Sequence, residues 1–521
     1  KLAQNSKTGK VTLLTHSNGG LVSKILIQRL ESLGKEKLID KLILVASPQL
    51  GTPKAIEEML HGTNLGFGFV MNQRTSRGLS LNMPGAYQLL PSQQYFSTTN
   101  SPVVKFDESL QGFNNFISKF GSEITDYSTL KRFLLDTTDN RTTNPNDSVL
   151  KILTLNPTLI RNADDMHSII DAYSIPSSIK VSQVIGWGID TVSGIEYYKK
   201  PIVTCIASIC SVVDTLDHGP MFVSGDKTVV SQSANFINTD SYYVDLNSIN
   251  KITGIQRSHA NIFEIPYIQE LIFNLIQDQN TIPQFISTTP PVDTYQKYRV
   301  SVHSPVSIDL FDNNGLHTGL ILNSVSNSDL VLYEEKIPNS YYMEIGEGKY
   351  TGFSGSSSAT AKFTGTGVGT FTVIIEKLQG NVVTEKSIFA DIPVSAGLQA
   401  SIVLNQVGVG NLQVDYDGDG RIDSTLTNNQ SFNANQYLQS LKGMVSNMSG
   451  TISVKNRLLT RIDGIIKMIQ IGMVKNPEQR IQQYLNSLQT QKDGTPPLKN
   501  LNLEIIEKLI DYVSGIQFKK L

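Results

Sequence analysis

Short apolar runs of strand length alternate with helix-spaced apolar residues through residues 1–280. The first run begins at Val11 and ends in a turn at residues 15–19, directly before a helical pattern of apolar residues at 21–30. Similar runs follow later in the chain, at residues 41–46, 180–187 and 241–246. Because helical patterns separate the runs, they predict βαβ units and a parallel sheet with right-handed crossovers.

The interval between the second and third runs is too long for a simple connection in an α/β unit. It predicts an insertion at about residues 54–178 with helices of its own, at residues 110–120, 127–135 and 163–173. We expect this insertion to cap the carboxyl ends of the strands and to shape an apolar substrate pocket. An elaboration that packs away from the site is the alternative.

Beyond residue 280 the pattern changes twice. Residues 281–293 are rich in Pro and Thr and read as a linker. A period of two then predicts an immunoglobulin-like β-sandwich over residues 294–414. Helix-spaced apolar residues return in residues 431–521 and predict a small helical bundle. The predicted fold class is therefore α/β, with a parallel sheet and a cap insertion, followed by an all-β sandwich and a C-terminal helical bundle.

Composition changes this picture little. Apolar residues make up 39% and charged residues 17%, and the formal net charge of −2 argues against a nucleic-acid or anionic-membrane partner. No apolar run reaches transmembrane length. Cys205 and Cys210 are either buried thiols or one local disulfide, and the sequence leaves the oligomeric state open.

Candidate nucleophilic chemistry begins at the turn after the first strand. Ser17 stands at the apex, where its hydroxyl is exposed at the sheet edge beside the N-terminus of the next helix. A side chain two residues before or after the serine would collide with its neighbours, so glycine is expected at both positions. Gly19 fits this expectation, whereas Thr15 does not. Asp226 follows in a turn at residues 223–230, and His259 lies in a loop after the fourth strand.

Other acids and histidines compete for these roles. Asp217 and His218 are adjacent, but neighbouring side chains usually point apart. We interpret His16 as a neighbour that packs the turn, and His61 and His167 as surface residues of the cap. Asp190 and Asp240 also follow strand-like stretches.

Five motifs in order resemble the lipase and lecithin:cholesterol acyltransferase-like group of α/β-hydrolases, in which the triad runs Ser, Asp, His along the chain. They lie at residues 16–20, 48–53, 84–91, 225–229 and 258–259. The resemblance implies that Ser17 is the nucleophile, that His259 is its general base, that Asp226 orients the imidazole, and that the Asn18 N–H is an oxyanion donor. Thr15 and Val230 depart from the family pattern.

A nucleophile strand that begins at residue 11 leaves no room for the strands that usually precede it. We therefore expect an N-terminally truncated domain without the loop that normally supplies the second oxyanion donor. Loss of one donor typically costs about 10²- to 10³-fold in rate. The expectation is weak or absent turnover by these 521 residues.

The resemblance implies a carboxylic ester hydrolase, that is, a lipase or esterase that works through an acyl-enzyme. The ester substrate that it implies is an acyl lipid. Acyl transfer to an alcohol by the same triad is one alternative. A degenerate hydrolase domain that serves as a binding or adhesion module is another. No catalytic cofactor is implied.

Acidic residues alternate at residues 415–430, where the pattern predicts a structural calcium-binding loop. The metal ligands expected from the spacing are Asp415, Asp417, Asp419, Arg421 and Asp423. Leu426 stands where a bidentate Glu is usual, so another segment would have to complete the site. The sandwich resembles accessory modules of secreted bacterial hydrolases, through residues 304–306, 309–312 and 337–342. The helical tail resembles C-terminal modules of large extracellular bacterial proteins. Both resemblances imply a secreted or cell-surface location.

Overall fold

The computed structural model describes residues 1–428, 442 and 452–470, with gaps at residues 64, 67–69, 72, 114, 140, 207–208, 304, 322–329, 356–357, 368, 395–396 and 417. The chain divides into two units. Unit 1 contains residues 1–296, 321–347 and 379–382, and unit 2 contains residues 297–320, 348–378 and 383–521.

Residues 1–296 form an α/β structure. The strands are β1 (Val11–His16), β2 (Ile39–Val45), β3 (Leu65–Gly66), β4 (Val70–Met71), β5 (Val104–Phe106), β6 (Glu123–Ile124), β7 (Lys180–Trp187), β8 (Ile189–Ile206), β9 (Ile209–Gly225), β10 (Asp240–Asp245) and β11 (Ile286–Ser287). The α-helices are α1 (Leu2–Asn5), α2 (Gly19–Ser32), α3 (Lys54–Leu60), α4 (Gln73–Ser80), α5 (Pro84–Tyr87), α6 (Gln93–Thr98), α7 (Phe116–Phe120), α8 (Tyr127–Leu135), α9 (Pro157–Ile170), α10 (Ser231–Ala234), α11 (Leu246–Thr253) and α12 (Pro266–Ile276).

The central sheet has the strand order β1-β2-β7-β10-β11, and its first four strands are parallel. These are the four strands that the apolar runs predict, so the α/β prediction is confirmed. Alternate residues of β2 face two different layers: Leu42 packs with Ile27 of α2, whereas Ile43 packs with Ile268 of α12. Helices therefore cover both faces, as a parallel sheet requires.

The stretch predicted as a linker contains an additional strand. β11 pairs antiparallel with β10, through Tyr243 with Ser287 and Val244 with Ile286. Two residues are too few to show a period, so the pattern could not reveal this strand.

A long hairpin between the third and fourth parallel strands was not predicted. β8 and β9 pair antiparallel from Ile189 with Gly225 onward, with a bulge between Val192 and Gly194. The apolar and polar alternation that normally marks strands is interrupted by Pro201, Gly219 and Pro220. Both strands form nevertheless, because each pairs with the other along its length. β5 of the cap adds to this hairpin in parallel.

The region after residue 296 is built of antiparallel strands, as predicted. They are β12 (Gln296–His303), β13 (Val306–Asp312), β14 (His317–Ile321), β15 (Leu330–Glu335), β16 (Tyr341–Ile345), β17 (Gly348–Ser354), β18 (Ala359–Gly365), β19 (Gly369–Gln379), β20 (Val382–Val394), β21 (Gln399–Leu404), β22 (Leu412–Asp415) and β23 (Ser424–Leu426). Unit 2 has two sheets, with orders β17-β12-β19-β20 and β23-β22-β21-β18-β13-β14.

One helix of the predicted C-terminal bundle is described, α13 (Ile452–Gln470). The other helical patterns of residues 431–521 lie outside the described residues, as do the side chains of Cys205 and Cys210. Within the described part of the chain, no helix combines the length and apolar character needed to span a bilayer.

Candidate active site

Ser17 occupies a strained turn between β1 and α2. Its φ of +53° lies in the left-handed region, which non-glycine residues rarely adopt. The Ser17 N–H donates to the Val45 carbonyl oxygen at 3.1 Å, so the neighbouring strand holds the turn in place. The side chain is half-buried and remains accessible. This is the strand-turn-helix geometry that the sequence predicts.

This turn requires glycine at position 20. The prediction that the sterically required glycine is Gly19 is wrong. A Cβ on Gly20 would lie 2.3 Å from Ser47 Oγ, whereas one on Gly19 would lie 3.8 Å from Thr15 Cβ, an ordinary contact. Thr15 fits because it is buried and its hydroxyl donates to the Ile43 carbonyl oxygen at 3.2 Å. Thr15 therefore fits this turn without a steric conflict.

Asp226 begins the loop after β9 and is 1% exposed. Its Oδ1 accepts hydrogen bonds from the N–H groups of Thr228 at 3.0 Å and Val229 at 2.7 Å, and its Oδ2 faces His259. A Cβ on Gly186 of β7 would lie 2.5 Å from Asp226 Cβ. The hairpin thus returns the chain to the end of β7, where Asp226 packs against Gly186. A glycine inside a strand, such as Gly186, is the sequence signal for such a close approach.

His259 connects the acid to the serine. Its Nδ1 lies 2.8 Å from Asp226 Oδ2, and its Nε2 lies 2.9 Å from Ser17 Oγ. Its backbone N–H donates to the Asp226 carbonyl oxygen at 2.8 Å. Because a carboxylate only accepts, Nδ1 carries the proton and Nε2 can accept from the hydroxyl. In this order a neutral imidazole can remove the serine proton.

His16 lies beside this chain. Its Nε2–H donates to the His259 carbonyl oxygen at 3.0 Å, and the two ring centroids are 4.7 Å apart. Burial, followed by the neighbouring His259, lowers the pKa of His16 below its ordinary value. A neutral His16 therefore packs against the turn without adding a positive charge, in line with the interpretation from sequence.

The prediction that His61 and His167 lie on the surface of the cap is wrong. His61 is fully buried, its Nδ1–H donates to the Val149 carbonyl oxygen at 2.7 Å, and its Nε2 lies 2.8 Å from the Tyr197 hydroxyl. His167 lies between Asp171 Oδ1 at 3.0 Å and the Gln88 carbonyl oxygen at 2.9 Å. The sequence could not show this burial, because the strands and loops that cover these histidines are distant in the chain.

The other competing residues belong to strands of the sheet and of the long hairpin. Asp217 and His218 are buried in β9, where the His218 ring stacks on His61 with centroids 3.6 Å apart. Asp190 is part of β8, and Asp240 begins β10. The described partner of the His259 Nδ1 is Asp226.

The cap contains a cavity of about 540 Å³ between α6, α8 and α9. Leu130, Leu134 and Ile160 contribute apolar lining, and Ser92 and Asp164 contribute polar lining. Neither Ser17 nor His259 lines it. The cavity is of a size that holds small ligands, but it belongs to the cap and not to the triad.

The candidate calcium loop lies in unit 2. Asp415 accepts hydrogen bonds from the N–H groups of Gly418 at 2.7 Å and Gly420 at 2.8 Å, and Asp423 accepts from the Tyr416 N–H at 2.8 Å. Asp419 accepts from the Arg421 N–H at 2.8 Å. Asp417 lies outside the described residues, and among the residues described no three acidic, histidine or cysteine side chains converge on one point.

Two solved structures are similar to this chain. One is the Tle4–Tli4 complex, with 17% identity, a TM-score of 0.30 and coverage of 45% of this chain and 52% of that chain. The other is the Bacillus licheniformis lipase BlEst2 in its propeptide form, with 9% identity, a TM-score of 0.23 and coverage of 77% and 80%. The chain spans about half the length of the Tle4–Tli4 chain that it matches.

No curated protein matches the chain. The family described as lecithin:cholesterol acyltransferase matches residues 1–263, which is half of the 521 residues. This match agrees with the five motifs, with the parallel sheet and with the position of Ser17 at the end of β1. The chain belongs to the lecithin:cholesterol acyltransferase family of lipase-like α/β-hydrolases.

Proposed function

We propose that this protein is a serine hydrolase that cleaves carboxylic esters through an acyl-enzyme. The observation that carries the proposal is the continuous hydrogen-bond chain from Asp226 through His259 to Ser17 Oγ. A serine hydroxyl is a poor nucleophile until a base removes its proton, and the base needs a carboxylate to hold its tautomer. All three groups are within hydrogen-bond distance before any substrate binds.

The geometry supports the following steps. Ser17 Oγ attacks the ester carbonyl carbon while His259 Nε2 takes the hydroxyl proton. The carbonyl oxygen becomes negative and receives a hydrogen bond from the Asn18 N–H, the first amide after the nucleophile and the N-cap position of α2. His259 then gives its proton to the leaving alcohol, and the acyl group stays on Ser17. Water, activated by the same imidazole, releases the acid.

Acyl lipids are the proposed substrate class, and the family match supports this choice. The same acyl-enzyme can transfer its acyl group to an alcohol instead of water. Adding a primary alcohol acceptor and measuring the ratio of ester to free acid among the products distinguishes the two activities. Hydrolysis predicts mostly free acid at low acceptor concentration.

Fluorophosphonate labelling tests the proposal on the full 521-residue chain. We expect one labelled site that is lost in Ser17→Ala and kept in Ser32→Ala, a matched change at an exposed serine at the end of α2, the helix that follows the Ser17 turn. Labelling that persists in Ser17→Ala would contradict the assignment of the nucleophile. Absence of labelling in the folded wild type would favour the binding-module alternative.

We also propose a structural calcium ion at residues 415–423. The carboxylates of Asp415, Asp419 and Asp423 offer the hard oxygen donors that calcium prefers, and the loop is folded by backbone N–H groups that point to Asp415. Asp417 and the Arg421 carbonyl group would complete the set. Millimolar Ca²⁺ should raise the unfolding temperature of the wild type but not of Asp419→Ala, which lacks the side-chain oxygen. An equal rise in both proteins would contradict the site.

Export from the cell is proposed from the accessory modules, which resemble those of secreted bacterial hydrolases. The supporting feature is the antiparallel β region that follows the hydrolase domain. Fractionation of the native host, with an antibody against residues 1–296, should place the protein in the medium or at the cell surface. Detection in the cytoplasm alone would contradict this location.

A further inference from the structure

Residues 333–347, which lie within the range predicted as the β-sandwich, belong to unit 1. We refer to them as the 333–347 segment. Its apolar side chains Ile337, Tyr341 and Ile345 are at most 4% exposed, and the Tyr341 ring lies 5.2 Å from that of Phe222 in β9. The segment is therefore an integral part of the hydrolase unit.

One contact of this segment reaches the loop that carries the acid. Glu335 Oε2 forms an ion pair with the ammonium group of Lys227, the residue directly after Asp226. Its other oxygen accepts a hydrogen bond from the Tyr342 N–H at 2.9 Å, which holds the carboxylate in place. Both side chains of the ion pair are largely buried, with 20% and 12% exposed.

The backbone at Lys227 needs such support. Its φ of +83° is in the left-handed region, and its N–H donates to Thr191 Oγ1 at 2.8 Å. The next two N–H groups, those of Thr228 and Val229, donate to Asp226 Oδ1. Any relaxation of Lys227 would therefore move the groups that orient the Asp226 carboxylate.

A second contact reaches the loop that carries the base. Gln256 Oε1 accepts from the Asn339 N–H at 2.7 Å, and Gln256 Nε2 donates to the Ser340 carbonyl oxygen at 2.9 Å. The Gln256 carbonyl oxygen accepts from Asn261 Nδ2 at 3.2 Å, and Asn261 Oδ1 accepts from the Ser258 N–H at 2.8 Å. These bonds enclose the turn at His259.

We infer that the 333–347 segment positions the acid and the base of the triad relative to each other, through Glu335 on the Asp226 loop and through Asn339 and Ser340 on the His259 loop. Lys227 and Gln256 are positioning residues, because neither touches the reacting atoms. One buried segment thus contacts both loops, whose relative placement sets the His259–Asp226 hydrogen bond. The inference rests on the proposed function only for its effect on rate.

The test uses Lys227→Met, Gln256→Leu and the double variant in the full chain, with two readouts. A displacement of catalytic groups by about 1 Å can cost 10²-fold, so we expect fluorophosphonate labelling to slow by about tenfold in each single variant and about 10²-fold in the double variant. Lys227→Arg keeps the charge and should restore most of the rate. Lys105→Met, which breaks the Lys105–Glu123 ion pair in the cap, should label like the wild type.

Hydrogen exchange measured by mass spectrometry gives the readout that does not depend on activity. Peptides that contain residues 226–229 and 256–261 should exchange faster in Lys227→Met and Gln256→Leu than in the wild type. In Lys105→Met their exchange rates should equal those of the wild type. Folded variants that exchange and label like the wild type would overturn the inference. Faster exchange together with an unlabelled wild type would support the positioning role and overturn the proposed hydrolase activity alone.

Discussion

Two buried histidines of unit 1, His259 and His61, each lie beside a hydroxyl group, but only the surroundings of His259 suit a general base. Each lies within 3 Å of a hydroxyl, that of Ser17 in one case and that of Tyr197 in the other. The group on the far side differs: His259 faces the carboxylate of Asp226, and His61 faces the neutral carbonyl group of Val149. Burial lowers the pKa of His61 well below its ordinary value and raises that of Tyr197.

The comparison shows that residue types alone do not make a site. A base needs a carboxylate that stabilises the imidazolium, and its nucleophile must be reachable by substrate. Ser17 is half-buried at the end of β1, whereas Tyr197 is fully buried. Glu57, the carboxyl group one helical turn from His61, has no hydrogen-bond partner for either oxygen among the residues that the structure describes. Burial raises its pKa well above the ordinary value.

The strongest test of the comparison replaces each histidine by alanine. His259→Ala should slow fluorophosphonate labelling of Ser17 by up to about 10⁶-fold, because the serine loses its base. His61→Ala should label like the wild type but lower the free energy of unfolding by about 1–3 kcal/mol, because the Val149 carbonyl group and the Tyr197 hydroxyl lose their partner. Loss of labelling in a folded His61→Ala protein would contradict the assignment.

A second test changes each carboxyl group to an amide. Asp226→Asn should slow labelling by about 10⁴-fold, because an amide can hold the imidazole in the wrong tautomer. Glu57→Gln should leave the labelling rate unchanged, because burial raises the pKa of Glu57 and so favours the uncharged carboxyl group, which glutamine resembles. The rates are measured with the same probe on both variants, and similar slowing in the two would contradict the distinction.

Within the turn at Ser17, the two glycines should respond differently to replacement by alanine. Gly20→Ala should lower the free energy of unfolding by about 1–3 kcal/mol, because its Cβ would lie 2.3 Å from Ser47 Oγ. Gly19→Ala should be tolerated, since its Cβ would make an ordinary contact with Thr15. Chemical denaturation of both variants measures the difference. Equal destabilisation would contradict the steric argument.

The smallest expected effect is the pH dependence that Glu57 contributes to stability. Its pKa is higher in the folded than in the unfolded chain, so the unfolded chain releases a proton that the folded chain retains, and stability falls as pH rises above the unfolded pKa. Glu57→Gln removes this contribution. The stability of the variant relative to the wild type should therefore increase between pH 5 and pH 6, by no more than about 1.4 kcal/mol. A constant difference would contradict the burial argument.

Much of the hydrolase fold was predictable from sequence. The apolar runs marked β1, β2, β7 and β10 because strands buried on both faces leave a local signal. The β8–β9 hairpin left none, since its stability comes from pairing between residues up to 36 positions apart, as in Ile189 with Gly225. The burial of His61 and His167 was missed for the same reason.

The sequence by itself determined the local units of this protein: the turn at Ser17, the order of Ser17, Asp226 and His259, and the change from α/β to antiparallel β structure. Apolar period and turn residues are properties of neighbours in the chain, so they can be read without coordinates. Only the tertiary structure decided which histidine lies between a carboxylate and the Ser17 hydroxyl, and that the 333–347 segment contacts the loops of Asp226 and His259. It also decided that Gly20 and Gly186 are the close-approach glycines. These facts depend on contacts between residues far apart in sequence, which no local pattern records.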